Sequence, residues 1–245
     1  SIATKDSIHS NILDEDRSLW ISLPQGYDEK SEYPVLYLLD GTENIYATYA
    51  VIQELSYDLI PAIIIVAINN TKRARDMSPW NDEPKDPRHK GLYKVTQIGG
   101  GKKFVSFLED ELIPYIDKKY STADYRIIAG HSASGLLALY TAIVHYETYQ
   151  ACIAADPSVW YGNGQITNEL TEEVQFSRNK IYLGMANWSD LTLAEIKKDT
   201  SSGSFFPQAN LKLVDKLKSS NYTGLDFDRK YYKEESNFSV PLITT

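Results

Sequence analysis

The 245-residue chain is poor in the residues that build cross-linked, cysteine-ligated or strongly basic proteins. Its one cysteine, Cys152, can form neither an internal disulfide nor a cysteine-ligated metal site within one chain. The 33 acidic residues outnumber the 25 basic ones, giving a net charge of −8. A nucleic-acid-binding surface needs clustered Lys and Arg, so this balance argues against such a partner. No apolar run approaches the length of a membrane-spanning helix. These shortages leave the compartment of the protein open.

Short apolar segments alternate with longer segments of helical period. Five runs lack polar alternation, as strands covered on both faces of a parallel sheet do: 34–41, 62–69, 125–130, 151–156 and 180–186. Apolar stripes predict helices over 102–119 and 207–220. Segment 17–27 alternates apolar and polar residues, which predicts an antiparallel edge strand. The class is therefore α/β, and the length favours one domain over 1–245.

One long segment, 70–101, has no regular pattern. Its three prolines and the triplet Gly99-Gly100-Gly101 forbid a continuous helix. Loops of this length inside a compact domain are commonly functional or disordered. We expect this loop to form a wall or lid over a pocket at the carboxyl ends of the strands.

The stretch "YRIIAGHSASGLLALY", 125–140, has the layout of a nucleophile elbow. An apolar strand precedes Ser132, and a helix follows it, so the hydroxyl would project from a tight turn at a helix N-terminus. The Gly-x-Ser-x-Gly pattern is broken because Ser134 replaces its final glycine. On the motif alone, a tight turn that merely opens a buried helix is as good an interpretation.

Other segments carry a resemblance to a known family. "YPVLYLLDG", "NTKRARDMSP", "FLEDELIPYIDKKY", "GHSASGLLALY" and "DPSVWY" are similar to successive motifs of the putative esterase family of α/β-hydrolases, which includes the enterobactin-type siderophore esterases. The resemblance implies an α/β-hydrolase fold with a mostly parallel central sheet flanked by helices. It also implies a serine carboxylic-ester hydrolase that needs no cofactor or metal and takes a small-molecule ester.

The resemblance implies a role for each part of the site. Ser132 would attack the ester carbonyl, and the oxyanion would be held by the backbone N–H of Ala133 and one from the loop at Gly41 and Thr42. The triad acid should follow the segment "KIYLGMA". The candidates are Asp190 first, with Glu195 and Asp156 behind it.

The expected histidine base is missing from its place. The family ends with a Glu-x-His-x-Ser-Val-Pro type segment, whereas this chain has "KEESNFSVP" with Asn237 at the histidine position. An asparagine amide does not take a proton near neutral pH, so we expect an inactive or impaired enzyme. A natural loss of activity, a His to Asn substitution and a misplaced alignment remain open. The family also continues into a last helix, which this sequence does not show after Thr245.

None of the four histidines is an obvious substitute. His131 adjoins the nucleophile, and we expect it to pack within the elbow. His145 follows on the same helix at about 20 Å from Ser132, because each helical residue adds about 1.5 Å. His9 lies in a polar segment and is expected to be solvated. His89, in the long loop, is the one histidine that could swing over the site, although an exposed position is the simpler expectation.

The residues that would recognise the substrate are aromatic and basic. The resemblance places Trp80, Trp160 and Tyr161 around the site, where an acyl or aryl group could stack, although they could equally pack the loops onto the body. Arg75, with its neighbours Lys72 and Arg73, could meet a siderophore ester. An acyl-carbohydrate ester is the other substrate class, and a degenerate hydrolase that binds without turnover is the rival function. The oligomeric state is open, as is the choice between bacterial cytoplasm and periplasm.

Overall fold

The computed structural model describes residues 2–81, 85, 88, 98–187, 191–220, 222–233 and 235. Its centre is an eight-stranded sheet with the order β1-β2-β4-β3-β5-β6-β7-β8. The β1–β2 and β2–β4 pairs are antiparallel, and the remaining pairs are parallel. The strands are β1 Thr4–Ser10, β2 Glu15–Ser22, β3 Tyr33–Leu38, β4 Ile64–Ile68, β5 Thr122–His131, β6 Ala151–Ala155, β7 Asn179–Asn187 and β8 Leu225–Lys233.

Helices flank this sheet. They are α1 Gly41–Leu55, α2 Arg73–Asp76, α3 Gly101–Phe107, α4 Ile113–Lys119, α5 Ala133–Val144, α6 Ile166–Glu169, α7 Leu193–Ile196 and α8 Phe205–Ser219. A π-helical turn, Leu108–Leu112, joins α3 to α4, and 3₁₀ turns cover Tyr161–Gly164 and Ser202–Ser204. Within the described ranges no helix has the length and apolar character needed to cross a membrane.

The predicted fold class is confirmed, and the apolar runs are the reason it could be predicted. All five residues of β4 are buried, as are the last four of β3. Strands covered by helices on both faces need no polar alternation. The stripe predicted over 102–119 is also present, with Phe104, Phe107 and Leu112 fully buried, although the helix there is interrupted by the π-helical turn.

Several elements differ from the sequence prediction. The edge strand is β1, and the alternating segment that was expected at the edge forms β2, one position further in. β1 has only its last residue, Ser10, fully buried, so it has no apolar run that would reveal it. β8 lies at the other edge of the sheet, and it too consists of exposed and half-buried residues without an apolar run. Helix α1 begins at Gly41, where the sequence predicts a loop. Helix α2 forms a single helical turn inside the 70–101 segment, for which the sequence predicts no regular structure.

A buried ion pair fixes α2 against the sheet. Arg17 of β2 is fully buried and donates from Nη1 to Asp76 Oδ2 at 2.8 Å, from Nη1 to Glu15 at 2.9 Å and from Nη2 to the carbonyl of Asn69 at 3.0 Å. The Arg17 guanidinium also lies 5.0 Å from the ring centre of Phe104. A buried charge of this kind is tolerated only when it is paired. The pairing therefore sets which side of α2 faces the body of the protein.

We predict that Asp76→Ala lowers the free energy of unfolding by about 3 to 5 kcal/mol, because it leaves Arg17 buried without its buried partner. Urea unfolding at neutral pH measures the change. Asp215→Ala is the matched control, since Asp215 pairs with Lys197 at the surface, where the two side chains are 58% and 47% exposed. That control should cost less than about 1 kcal/mol. Equal losses in the two variants would contradict the role given to Arg17.

Candidate active site

Ser132 occupies a strained turn between β5 and α5. Its backbone has φ 59° and ψ −118°, a conformation that non-glycine residues rarely adopt. Two backbone hydrogen bonds fix it: the Ser132 N–H donates to Ala155 O, and the Ser158 N–H donates to Ser132 O, each at 2.9 Å. Gly130 makes the turn possible, because a Cβ there would lie 2.4 Å from the backbone of Ser134. The sharp strand-to-helix turn predicted from the sequence is therefore present.

The Ser132 hydroxyl lies at the N-terminus of α5, and its Oγ is 3.3 Å from the Oγ of Ser158. The first N–H groups of a helix have no partner within the helix and carry partial positive charge. Ala133 is the first residue of α5. The N-terminus of α5 therefore favours negative charge that develops beside Ser132.

A cavity of about 590 Å³ lies in front of Ser132. The elbow contributes Ser132, Ala133 and Leu136, and the described part of the long segment contributes Arg73, Met77 and Ser78. Trp160 and Tyr161 also line it. A cavity that combines apolar and aromatic side chains with polar groups is typical of a small-molecule site.

The loop after β3 brings a second helix N-terminus to this cavity. Asp40, Glu43 and Asn44 line it, while Gly41 and Thr42 lie between them in the chain. A Cβ on Gly41 would be 2.6 Å from the carbonyl carbon of Ala67, so only glycine fits where α1 crosses β4. The Thr42 hydroxyl donates to Asn69 Oδ1 at 2.7 Å. The first turns of α1 and α5 thus lie beside one cavity.

Asp40 is the buried charge of the site. It is 5% exposed and has a left-handed backbone with φ 53°. Arg73 donates to both of its oxygens, from Nε at 2.8 Å and from Nη2 at 2.7 Å, and Asn70 Nδ2 donates at 2.7 Å. Ser134 Oγ donates to Oδ2 at 2.8 Å. Burial alone would raise the pKa of Asp40, but the hydrogen bonds from Arg73, Asn70 and Ser134 together lower that pKa below its usual value.

Comparison with known proteins decides the family. The family model described as "Putative esterase" matches residues 10–222. The chain belongs to this family. The elbow, the second helix N-terminus and the cavity between them are therefore features of a member of the putative esterase family.

The family members that resemble this chain include siderophore esterases. It is 26% identical over 173 residues to the ferri-bacillibactin esterase BesA of Bacillus subtilis, covering 65% of this chain and 60% of that protein. It is 26% identical over 168 residues to the apo-salmochelin esterase of Escherichia coli, covering 64% of this chain and 52% of that protein. The matched segments thus span about half to three fifths of these relatives.

Similar solved structures cover nearly the whole chain. An IroE-like serine hydrolase from Shewanella oneidensis superposes with a TM-score of 0.83 and 31% identity, covering 97% of this chain and 75% of that one. The BES protein from Bacillus cereus has a TM-score of 0.79 at 20% identity and covers 98% of this chain and 91% of that one, which supports the fold alone.

The candidates for the triad acid are separated by their surroundings. Asp156 follows β6, is 8% exposed, and accepts the Ala186 N–H at 3.0 Å and Asn210 Nδ2 at 3.4 Å. Glu195 lies at the surface and completes a capping box with Thr192 at the start of α7. The Glu195 carboxylate is thus engaged in capping α7, and Glu195 is not among the residues that line the cavity. Asp190 lies outside the described residues.

The three histidines that the structure describes differ in their surroundings. His9 pairs with Asp16 at 2.8 Å, and His145 pairs with Glu109 at 2.9 Å at the far end of α5 from Ser132. His131 is half-buried and lines the cavity, and the packing role expected for it stays a prediction. His89 and Asn237 lie outside the described residues, and the position of the base stays a prediction.

Two of the four residues expected to bind substrate line the cavity, and two do not. Trp160 and Tyr161 are in its wall. Trp80 is 5% exposed and packs edge-on against Tyr140 with ring centres 5.5 Å apart, so it is a core residue.

Arg75 donates to Asp76 at 2.6 Å and to Glu15, which turns it away from the cavity. The basic residue at the cavity is instead Arg73, already paired with Asp40. No feature of the sequence distinguishes Asp40, because a carboxylate after a strand is common in any α/β protein.

We predict that Asp40→Asn destabilises the fold at pH 7 by about 1 to 3 kcal/mol, because an amide forms weaker hydrogen bonds with Arg73. The pKa of Asp40 is lowered in the folded chain, so its ionised form contributes stability above its usual value of 3.8. That contribution is lost as the pH falls through the lower folded pKa.

Urea unfolding from pH 7 to pH 3 measures the difference in the free energy of unfolding between the parent and Asp40→Asn. This difference should become smaller below pH 4. Asp124→Asn is the matched control, because the Asp124 side chain is 90% exposed in its pair with Arg126. A gap that stays constant with pH would contradict the ionised state assigned to Asp40.

Proposed function

We propose that this chain is a carboxylic-ester hydrolase of the siderophore-esterase kind, with Ser132 as its nucleophile. The observation that carries the proposal is the backbone of Ser132, whose φ of 59° projects the residue from the β5–α5 turn into a 590 Å³ cavity. Strain of this kind persists where the surrounding structure holds it, and such residues cluster at active sites. Membership of an esterase family supports the same chemistry.

The proposed reaction has two steps. Ser132 Oγ attacks the ester carbonyl and loses its proton, and the alcohol leaves with a proton to give an acyl-enzyme. Water then attacks the acyl-enzyme and releases the carboxylic acid and the free serine. In both steps the negative oxygen is held by the Ala133 N–H and by one N–H from Gly41 or Thr42.

Proton transfer is the step of the proposed mechanism that Asn237 impairs. The family resemblance places a histidine where this chain has Asn237, and an amide cannot act as the general base. Asp190 or Asp156 would orient a histidine at that position. With Asn237 the oxyanion hole still lowers the barrier, so the chain is an impaired enzyme.

The proposed substrate is an ester with an apolar or aromatic acyl group. The relatives named as ferri-bacillibactin and apo-salmochelin esterases support a siderophore ester. Trp160 offers a flat aromatic wall beside Ser132. Arg73, the arginine that the described structure places at the cavity, is already paired with Asp40, so it does not call for a strongly anionic acyl group. A neutral acyl-carbohydrate ester remains the second substrate class.

We predict that a fluorophosphonate probe forms one adduct, on Ser132, and that it does so slowly because no histidine base activates the hydroxyl. Intact-mass analysis followed by peptide mapping locates the adduct. Ser132→Ala should abolish labelling, while Ser158→Ala, which removes the neighbouring hydroxyl, should keep the adduct at Ser132. An adduct that survives Ser132→Ala would place the reactive residue elsewhere.

We predict that Asn237→His raises the hydrolysis of p-nitrophenyl acetate by about 10²- to 10⁴-fold, the usual contribution of a positioned general base. The matched control is Asn237→Gln, which changes the side chain but supplies no base and should give no gain. The gain should disappear in the double variant Ser132→Ala, Asn237→His. If the histidine variant folds normally yet hydrolyses no faster than the parent, the proposed role of position 237 is wrong: either the base comes from elsewhere, His89 first, or the chain binds esters without turnover.

Asn237 also favours a second candidate function, that of a binding protein without turnover. Such a protein would hold an ester in the same cavity and leave it intact. Quenching of Trp160 fluorescence by an apolar ester, with Trp160→Phe as control, would report binding. Binding in both the parent and Asn237→His, with hydrolysis in neither, would select this function over the esterase.

A further inference from the structure

The final glycine of the elbow pattern is a serine in this chain, and its hydroxyl is fully engaged. Ser134 is 0% exposed. Its Oγ accepts the N–H of His131 at 2.8 Å and lies 2.8 Å from both Asp40 Oδ2 and the carbonyl oxygen of His131. The ionised carboxylate is the stronger acceptor for the one hydroxyl proton, so Ser134 donates to Asp40. A hydrogen bond from a hydroxyl to a carboxylate is among the stronger kinds in proteins. Ser134 therefore joins two segments that are 94 residues apart in sequence.

These two segments are the two sources of the proposed oxyanion hole. His131 and Ser134 flank Ser132 and Ala133 on the elbow. Asp40 immediately precedes Gly41 and Thr42 at the start of α1. The spacing between the two N–H donors is therefore set by how the elbow is held against Asp40. A glycine at 134 has no side chain with which to make this link.

The Asp40 side of the link is rigid. Besides Ser134, the carboxylate holds Arg73 of α2 and Asn70 beyond β4. Its backbone is anchored as well, because Leu39 N–H donates to Ala129 O at 2.9 Å, and the N–H groups of Glu43 and Asn44 both donate to Asp40 O at 3.2 Å. A group fixed at so many points can transmit its position to the residue that contacts it.

We infer that Ser134 is a positioning residue that holds the two halves of the oxyanion hole in register through its hydrogen bond to Asp40. This inference rests on the proposed function, because it concerns the same site. Ser134 is buried beneath the elbow and acts on the substrate through Ala133, Gly41 and Thr42. An error of about 1 Å in such a site is enough to cost about 10²-fold in rate.

The first test compares phosphonylation of Ser132 in the parent, Ser134→Ala and Thr141→Val. Thr141 is the matched control, since among the described residues its buried hydroxyl bonds only to Leu137 O within α5, at 2.8 Å. Ser134→Ala should lower the maximal labelling rate by roughly 10-fold or more while probe binding changes little, because a displaced oxyanion donor acts on the transition state alone. Thr141→Val should stay near the parent rate.

The route through Asp40 is tested by combining variants. The double variant Asp40→Asn, Ser134→Ala should react no more slowly than Asp40→Asn alone, because residues acting through one bond are not additive. Ser134→Gly, which restores the family pattern, should be slowed like Ser134→Ala. Wild-type rates in both Ser134 variants, or full additivity with Asp40→Asn, would overturn the inference.

A second readout does not depend on the reactivity of Ser132. Amide hydrogen exchange, measured residue by residue, should accelerate at Glu43 and Asn44 in Ser134→Ala by roughly 10-fold or more, and should be unchanged there in Thr141→Val. If the probe does not label Ser132 in the parent, the proposed function is overturned. Hydrogen exchange at Glu43 and Asn44 would still show whether Ser134 holds Asp40 in place. Identical exchange at Glu43 and Asn44 in both variants would overturn the inference.

Discussion

The site depends on the hydrogen bonds that the buried carboxylate of Asp40 accepts from Arg73, Asn70 and Ser134. Asp40 lies after β3 and binds groups that follow β4 and β5, so three neighbouring strand ends meet at one buried negative charge. Parallel strands place their carboxyl ends on the same edge of the sheet, which is where α/β proteins build their sites. The charge is stable there because Arg73 meets it with two hydrogen bonds.

A second buried charge, Arg17, holds in place the helix α2, which contributes Arg73 to the wall of the cavity. Its pairing with Asp76 holds one side of α2 against β2, and the other side then presents Arg73 to Asp40. The two ion pairs thus share one helical turn. The strained backbone of Ser132 is fixed separately, by hydrogen bonds to Ala155 and Ser158. Strain at a single residue costs about 1 to 3 kcal/mol and needs such rigid surroundings.

Much of the fold could be predicted because apolar runs report burial directly. β4 reads as a strand since both of its faces are covered, whereas β1 and β8 lie at the edges and have no such run. Side-chain direction in short elements could not be predicted. Arg73 and Arg75 are two residues apart, about 200° around a helix, so one faces the cavity and the other Glu15. The Ser134–Asp40 bond was equally hidden, because it joins distant segments and appears only once β3 and β5 are paired.

The central claim is that Ser132 faces an oxyanion hole built from the first turns of α5 and α1. A crystal structure of the chain after reaction with a fluorophosphonate tests it most directly, because the phosphonyl oxygen mimics the oxyanion. The account predicts that this oxygen lies about 2.7 to 3.1 Å from the Ala133 nitrogen and at a similar distance from the nitrogen of Gly41 or Thr42. An adduct on Ser132 whose oxygen contacts neither helix N-terminus would contradict it.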